Sequence, residues 1–264
     1  MATIVFFHAH PDDEALLTAG TMRGLHECGH EVHLVVATNG EAGLSDSALT
    51  GNLAEIRMKE LSVSSAILGI SQVHWLGYAD SGLHGDASGS TITFCQASID
   101  EAAQKLAEYL ENVHADVVVG YDSTGGYGHP DHVRVHHVMH QAAVHANVEH
   151  VFEATADRQS IARLLEIVKP LINLFKADEL FALADSFTPR ADITHTVNVK
   201  SWLGPKRASM KAHASQAVGG STPRTLQVFV KFPRPLFKKA FGREWYKQTH
   251  GDRVNNPIAR LPQV

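Results

Sequence analysis

Apolar and polar residues fall into blocks of two kinds along the first half of the chain. Thr3–His8 (TIVFFH), His30–Ala37 (HEVHLVVA), Val73–Leu76 and Asp116–Tyr121 (DVVVGY) are short apolar runs with the length and β-branched content of buried strands. Stretches with helical signals lie between them. Glu14–Glu27 reads as a helix closed by Gly29, Asn52–Leu68 as one stopped by Gly69, and Cys95–Val113 as a strongly amphipathic one. Pro130 suits the first turn of a further helix running to about Ala146. The β-α-β-α order predicts an α/β fold, a Rossmann-like and mostly parallel sheet flanked by helices. Beyond about Val148 the pattern loosens. His150–Ala154 and Ile193–Val199 read as strands, Ser160–Val168 and Trp202–Gln216 as helices, and Thr225–Phe232 (TLQVFVKF) alternates like an edge strand or hairpin arm. Ser81–Thr91 is Gly/Ser-rich and reads as a mobile connection. A single domain over 1–264 is expected, with the Rossmann-like core in 1–147 and a less regular substrate-side and C-terminal part in 148–264.

Composition narrows the chemistry. A hydrophobic share of 44% with 19% charged residues is that of a globular chain and excludes disorder. No apolar run reaches about 18 residues, so no membrane span is expected, and Met1–His8 lacks the basic start of a secretion signal. A cytoplasmic location is the expectation. Two cysteines, Cys28 and Cys95, cannot build a disulfide scaffold or a Cys-rich zinc site, whereas histidine occurs 18 times in 264 residues. A bound metal would therefore be held by histidine and carboxylate. The net charge of −5 hides an asymmetry: residues 1–199 carry 10 Lys/Arg and 26 Asp/Glu, residues 200–264 carry 13 and 2. The basic residues are scattered among apolar ones, which fits packing against the acidic body better than a nucleic-acid surface.

Two motifs carry candidate chemistry. His10-Pro11-Asp12-Asp13-Glu14 follows the first strand, and Gly125-Gly126-Tyr127-Gly128-His129-Pro130-Asp131-His132 follows the strand Asp116–Tyr121. Ligands of an open parallel sheet bind beyond the carboxyl ends of its strands, so the two motifs can meet despite about 120 residues between them. Each offers a pair of metal-binding side chains three residues apart at a helix start, His10 with Asp13 and His129 with His132. Two imidazoles and a carboxylate with open positions is the donor set of a catalytic zinc site, and Asp12 is a spare carboxylate beside it. Either motif alone also reads as a helix cap. His136, His137, His140 and His145 follow along one helix and read as surface or half-buried residues, and His8 is a candidate neighbour of the site.

The paired motifs resemble the zinc-dependent PIG-L/LmbE deacetylase family. Further pieces are similar to that family: Thr38-x-Gly40-Glu41-x-Gly43, Arg57-x-x-Glu60 with Leu68-Gly69, Leu76-Gly77-Tyr78-x-Asp80-Ser81-Gly82, and Lys206 with Ala212-His213-x-Ser215-Gln216. The motif run Gly125–His132 looks most like the actinobacterial branch, which includes the mycothiol-pathway deacetylase and the mycothiol S-conjugate amidase. The resemblance covers roughly residues 3–216, with a weaker echo at Phe241-Gly242-x-Glu244-Trp245-Tyr246. It implies His10, Asp13 and His132 as ligands of one Zn2+ per chain, and Asp12 as the general base on the zinc-bound water. It implies His129 as oxyanion stabiliser or proton donor to the leaving amine, and Tyr127 as a carbonyl-polarising phenol or mobile lid. Asp131 would orient a motif histidine, and Arg57, Asp80 and His213 would contact the substrate.

The expected activity is hydrolysis of an amide bond in a small, sugar-containing molecule, foremost N-deacetylation of an N-acetylglucosamine-type or thiol-sugar conjugate. A mycothiol S-conjugate amidase or a natural-product deacylase is the alternative. The His/carboxylate set also matches non-haem Fe(II) oxygenases, though those sit on all-β barrels, and the Thr38–Gly43 loop alone would fit a metal-free phosphate binder. No nucleic acid or membrane partner is expected, and a homo-oligomer is compatible with the sequence. Phe152–Arg190 matches nothing in the family pattern. Its apolar pairs read as a helical excursion over the site that sets substrate choice.

Overall fold

The computed structural model describes residues 1–42, 52–82, 92–163, 166, 186–216 and 225–264. Among these, seven strands form one sheet: β1 (Thr3–His8), β2 (Glu31–Thr38), β3 (Gln72–Tyr78), β4 (Val117–Tyr121), β5 (His150–Thr155), β6 (His195–Asn198) and β7 (Arg243–His250). Their order is β3-β2-β1-β4-β5-β7-β6. β1 to β5 run parallel, and β7 is antiparallel to both β5 and β6. The chain first builds outward from β1 through β2 to β3, then returns to β1's other side with β4 and β5. The gap above β1 and β4 is therefore the topological switch point, where open parallel sheets bind ligands.

Alternating strand residues face opposite layers, which is why the central strands are apolar throughout. Val5 and Phe7 join Val35, Val118, Leu106 and Met139 on one face, under α4 (Ile99–Asn112) and α5 (Pro130–His145). Ile4 and Phe6 join Met22, Leu34, Leu61 and Trp202 on the other, under α2 (Ala19–Glu27), α3 (Leu53–Leu68) and α6 (Leu203–Ala212). No helix among the described residues is long and apolar enough to cross a membrane.

Several boundaries differ from the sequence expectation for local reasons. The Glu14–Glu27 helix is two pieces, α1 (Asp13–Leu17) and α2, broken at Thr18, whose hydroxyl contacts His8 Nε2 at 2.9 Å instead of continuing a regular turn. The helix expected from Cys95 begins at Ile99, capped by Ser98, after a short 3-10 turn at Phe94–Gln96. Thr225–Phe232 is not a strand: Thr225–Val230 is helix α7. Its alternation is degenerate, since Leu226, Phe229 and Val230 also satisfy the i, i+3, i+4 helical spacing. Tertiary contact decides between them, because Leu226 buries against Met210, Ala15 and Phe237. Helix α8 (Arg234–Phe241) and strand β7, with no counterpart in the predicted elements, complete the C-terminal part. Of the Phe152–Arg190 excursion, residues 158–163 are helical. Its apolar pairs lie outside the described residues, as do Gly43 and most of Ser81–Thr91.

Candidate active site

Both motifs sit at the switch point. Asp12 has a left-handed backbone (φ 105°), a conformation that costs a non-glycine residue energy and that the surroundings must enforce. They do so from both sides. The Asp12 N–H donates to Glu14 Oε2 at 2.9 Å, and the preceding Pro11 carbonyl accepts from Arg57 Nη2 at 2.6 Å. Arg57 Nη1 donates to the Gly40 carbonyl, also at 2.6 Å, so one guanidinium ties the β1 and β2 loops together. Gly40 must be glycine here: its φ is +71°, and a Cβ would meet Arg57 Nη1 at 2.2 Å. Burial pushes the Asp12 carboxyl up to about 6, with Arg57 pulling it down and Asp13 adding to the rise.

His10, Asp13 and His132 converge. Asp13 Oδ2 lies 3.4 Å from His10 Nδ1, and Asp13 Oδ1 lies 3.4 Å from His132 Nε2. His132 Nε2 is buried without a hydrogen-bond partner, while its Nδ1 faces the Gly125 carbonyl at 3.2 Å. The ring is thereby held with Nδ1 donating and the Nε2 lone pair free. His10 is set the other way: Nε2 faces Asp131 Oδ2 at 3.1 Å and Asp80 Oδ1 at 3.4 Å, leaving Nδ1 toward Asp13. Asp131 is held in turn by the Ser81 hydroxyl and by the Ser81 N–H at 3.0 Å. Histidines whose second nitrogen is engaged by a carboxylate or carbonyl are the usual arrangement behind metal ligands. An orphaned buried nitrogen beside a carboxylate, with both rings so oriented, fits a bound cation on observation of the chain alone.

His129 caps α5. Its Nδ1 accepts from the Asp131 N–H at 3.2 Å, which leaves Nε2–H to donate. Its ring lies 4.8 Å from His10 and 5.1 Å from His132, centroid to centroid, so the three imidazoles form one cluster. Burial, with His10 and His132 next, lowers His129 to about 4, so the ring is neutral near pH 7. Tyr127 stands at the rim, half exposed, its ring 6.0 Å from His129 and 5.0 Å from His132. Burial and the nearby Asp13 and Asp12 carboxylates raise its phenol, so it remains a donor.

The three residues expected to meet substrate sit deeper. Arg57 is spent on backbone carbonyls, and Asp80, lowered to about 2 against the effect of burial by bonding to His10, braces that histidine and the Gly82 N–H. His213 is 0% exposed and contacts Glu14 Oε1 through Nε2 at 2.6 Å. Glu14 Oε1 also accepts from Ser64 Oγ at 2.6 Å, so the Glu14–His213 pair supports the Asp12 turn from below. The sequence reading missed Glu14 in this role, and it missed Tyr121. Tyr121 stacks on His132 at 4.5 Å, and its hydroxyl contacts His8 Nδ1 at 2.7 Å. A tyrosine ending the strand before the second motif was the available signal. Glu60 accepts from the Ser215 N–H and hydroxyl at 2.7 Å, which explains why those two sequence pieces occur together.

Two imidazoles and a carboxylate that could hold a metal ion, with a spare, elevated carboxylate beside them, stand at the switch point of a parallel sheet, the arrangement that metal-assisted hydrolysis requires. The family model described as PIG-L, GlcNAc-PI de-N-acetylase, matches residues 5–143. A protein of Acidothermus cellulolyticus named 1D-myo-inositol 2-acetamido-2-deoxy-alpha-D-glucopyranoside deacetylase is 32% identical over 262 residues, 92% of this chain and 87% of its own. One of the same name from Salinispora arenicola is 35% identical over 232 residues, 81% of this chain and 75% of its own. The chain belongs to the PIG-L family of deacetylases, enzymes that hydrolyse amide bonds. Two solved structures share the fold. N,N'-diacetylchitobiose deacetylase from Pyrococcus horikoshii gives a TM-score of 0.65 at 19% identity over 94% of this chain and 84% of its own. The 4-carboxy-2-hydroxymuconate hydratase GalB of Pseudomonas putida KT2440 gives 0.60 at 16% identity over 97% and 99%. The second relationship shows that this scaffold also carries a hydratase, so the fold by itself does not select deacetylation.

Proposed function

We propose that the protein is a zinc-dependent N-deacetylase that removes acetate from the 2-acetamido group of a glucosaminyl-inositol-type substrate. The observation that carries this reading is the unpartnered His132 Nε2 set 3.4 Å from Asp13, with Asp12 beside them. The substrate class is supported by the shared name of relatives that are 31–35% identical to this chain. His10, Asp13 and His132 would hold the ion, and a donor set of two imidazoles and one carboxylate favours zinc. When bound, the cation supplies Lewis acidity to the acetamide carbonyl and to the attacking water.

The chain's own groups manage the protons and the developing charge. Asp12, ionised at pH 7 but with a carboxyl raised toward 6, takes a proton from the attacking water. His129, neutral and holding its proton on Nε2, donates to the carbonyl oxygen as it becomes negative. That protonation state favours the oxyanion role over delivery of a proton to the amine. Asp12 then returns its proton to the leaving nitrogen, so one water is consumed and acetate and a free amine are released. Tyr127, at the rim, adds a second donor. Asp131 and Asp80 fix His10, while Arg57, Glu14 and His213 fix the turn that aims Asp12.

The test offers the zinc-loaded protein N-acetylglucosaminyl-inositol and a mycothiol S-conjugate in parallel and measures free amine and released acid. Acetate and amine from the first substrate are expected. A loaded protein that cleaves only the second, or neither, overturns the reading.

A further inference from the structure

A second group of donors lies outside the catalytic site. His136 and His140 stand four residues apart on α5, so they share a helix face, and their ring centroids are 4.6 Å apart. Glu153, on the neighbouring strand β5, faces both. Its Oε1 lies 3.3 Å from His136 Nδ1 and 3.0 Å from His140 Nε2. One donor atom from each of the three residues falls within 4.8 Å of the others. Neighbouring donors of a tetrahedral zinc site with bonds of about 2.0–2.1 Å stand roughly 3.3 Å apart, close to the spacing of Glu153 Oε1 from each imidazole nitrogen.

Two further observations separate this group from an ordinary surface cluster. Glu153 is 2% exposed, and its Oε2 is buried with no hydrogen-bond partner. A buried carboxylate needs compensation. The ammonium that faces it, Lys247 on β7, is 3.4 Å away and only half-buried, free to swing out to water. Among the described residues the Tyr121 carbonyl also lies 3.2 Å from His136 Nδ1, and the His137 ring lies 5.2 Å from that of His136. Both can accommodate a cation. The carbonyl offers an oxygen, and a neutral imidazole adds no charge. The side of the cluster open to solvent is formed by His140, whose side chain is 33% exposed, so an ion has an entry path.

We infer that His136, His140 and Glu153 form a second site for a divalent transition-metal ion of the zinc or cobalt type. It is separate from the catalytic donor set and spans α5 and β5. Binding replaces the hydrogen bonds between the two imidazoles and Glu153, each ring turning a lone pair to the ion and carrying its proton on the other nitrogen. Since α5 is capped by His129 and carries His132, occupation clamps this helix to the sheet without adding a reacting group.

The experiment titrates the protein, already carrying whatever ion it retains on purification, with Co2+ and separately with Zn2+. Uptake is followed by visible absorption for cobalt, metal analysis and thermal unfolding. Wild type is expected to take up one further ion per chain and to unfold at a higher temperature. His140→Ala, a half-exposed position, is expected to weaken that uptake at least tenfold while keeping the first ion and its hydrolase activity. Glu153→Gln should behave alike. His132→Ala should lose the first ion and keep the His140-dependent one, so failure of the catalytic reading and failure of this one are distinguishable. No further uptake by wild type, or equal uptake by wild type and His140→Ala, overturns the proposal.

Discussion

His10 Nε2 lies 3.1 Å from Asp131 Oδ2, and this contact, with Asp80 Oδ1 at 3.4 Å, turns Nδ1 of the same ring toward Asp13. The carboxylate fixes which nitrogen carries the proton. Asn in its place would offer an N–H where His10 already has one. Asp131→Asn is therefore expected to weaken metal affinity by roughly 10–100-fold with little change in fold. Competition with a chromophoric chelator measures this, and an unchanged affinity would remove Asp131 as the residue that sets the ring.

In the proposed reaction Asp12 is the base, not a ligand. Asp12→Asn is expected to retain its metal and lose about 10²–10⁴ in kcat. Metal content and turnover are measured on the same sample. Near-normal turnover in a metal-replete variant would assign the proton to another group.

His132→Ala removes the orphaned nitrogen that completes the donor set. Loss of the catalytic ion and of measurable amide hydrolysis is expected together. An active variant with no bound metal would sink the metal-assisted reading altogether.

Gly40→Ala forces a side chain into the left-handed backbone and against the Arg57 guanidinium. A loss of about 1–3 kcal/mol is expected from the backbone strain. Arg57 must also move, so the Pro11–Asp12 turn loosens and kcat falls more than KM rises. Urea unfolding and steady-state kinetics check the two effects separately.

Lys206 and Glu244 form a buried ion pair at 2.5 Å, and Glu244 also accepts from the Gly20 and Thr21 N–H groups at the start of α2. Lys206→Met keeps the volume but strands the carboxylate. A cost of about 3–5 kcal/mol is expected, read as a lower urea midpoint at constant slope. Through the Gly20 and Thr21 N–H groups Glu244 ties the basic C-terminal part to α2, and Lys247 on β7 faces Glu153 on β5.

The parallel core was legible because its signals are local. Buried strands such as Val117–Tyr121 are apolar on both faces, and helix stops such as Gly69 are written in single residues. In the C-terminal part β5, β6 and α6 were legible in the same way, but Thr225–Val230 and Arg243–His250 were not, because they depend on partners distant in sequence. Thr225–Val230 fits two periods, and only contact with Met210 and Phe237 makes it a helix. Likewise nothing near Arg243–His250 announces a strand that inserts antiparallel between β5 and β6.

For the site, the sequence by itself determined the donor chemistry: which histidines and carboxylates follow β1 and β4, and that they share the carboxyl end of the sheet. Residue type and strand order suffice for that. The tertiary structure decided what each group can do. It buried Arg57 and His213 as supports beneath the Asp12 turn rather than leaving them at the rim. It chose the free nitrogen of each imidazole through Asp131 and the Gly125 carbonyl, and it set Glu153 against His136 and His140. Proton position, burial and charge compensation are properties of neighbours in space, and a linear pattern holds no record of them.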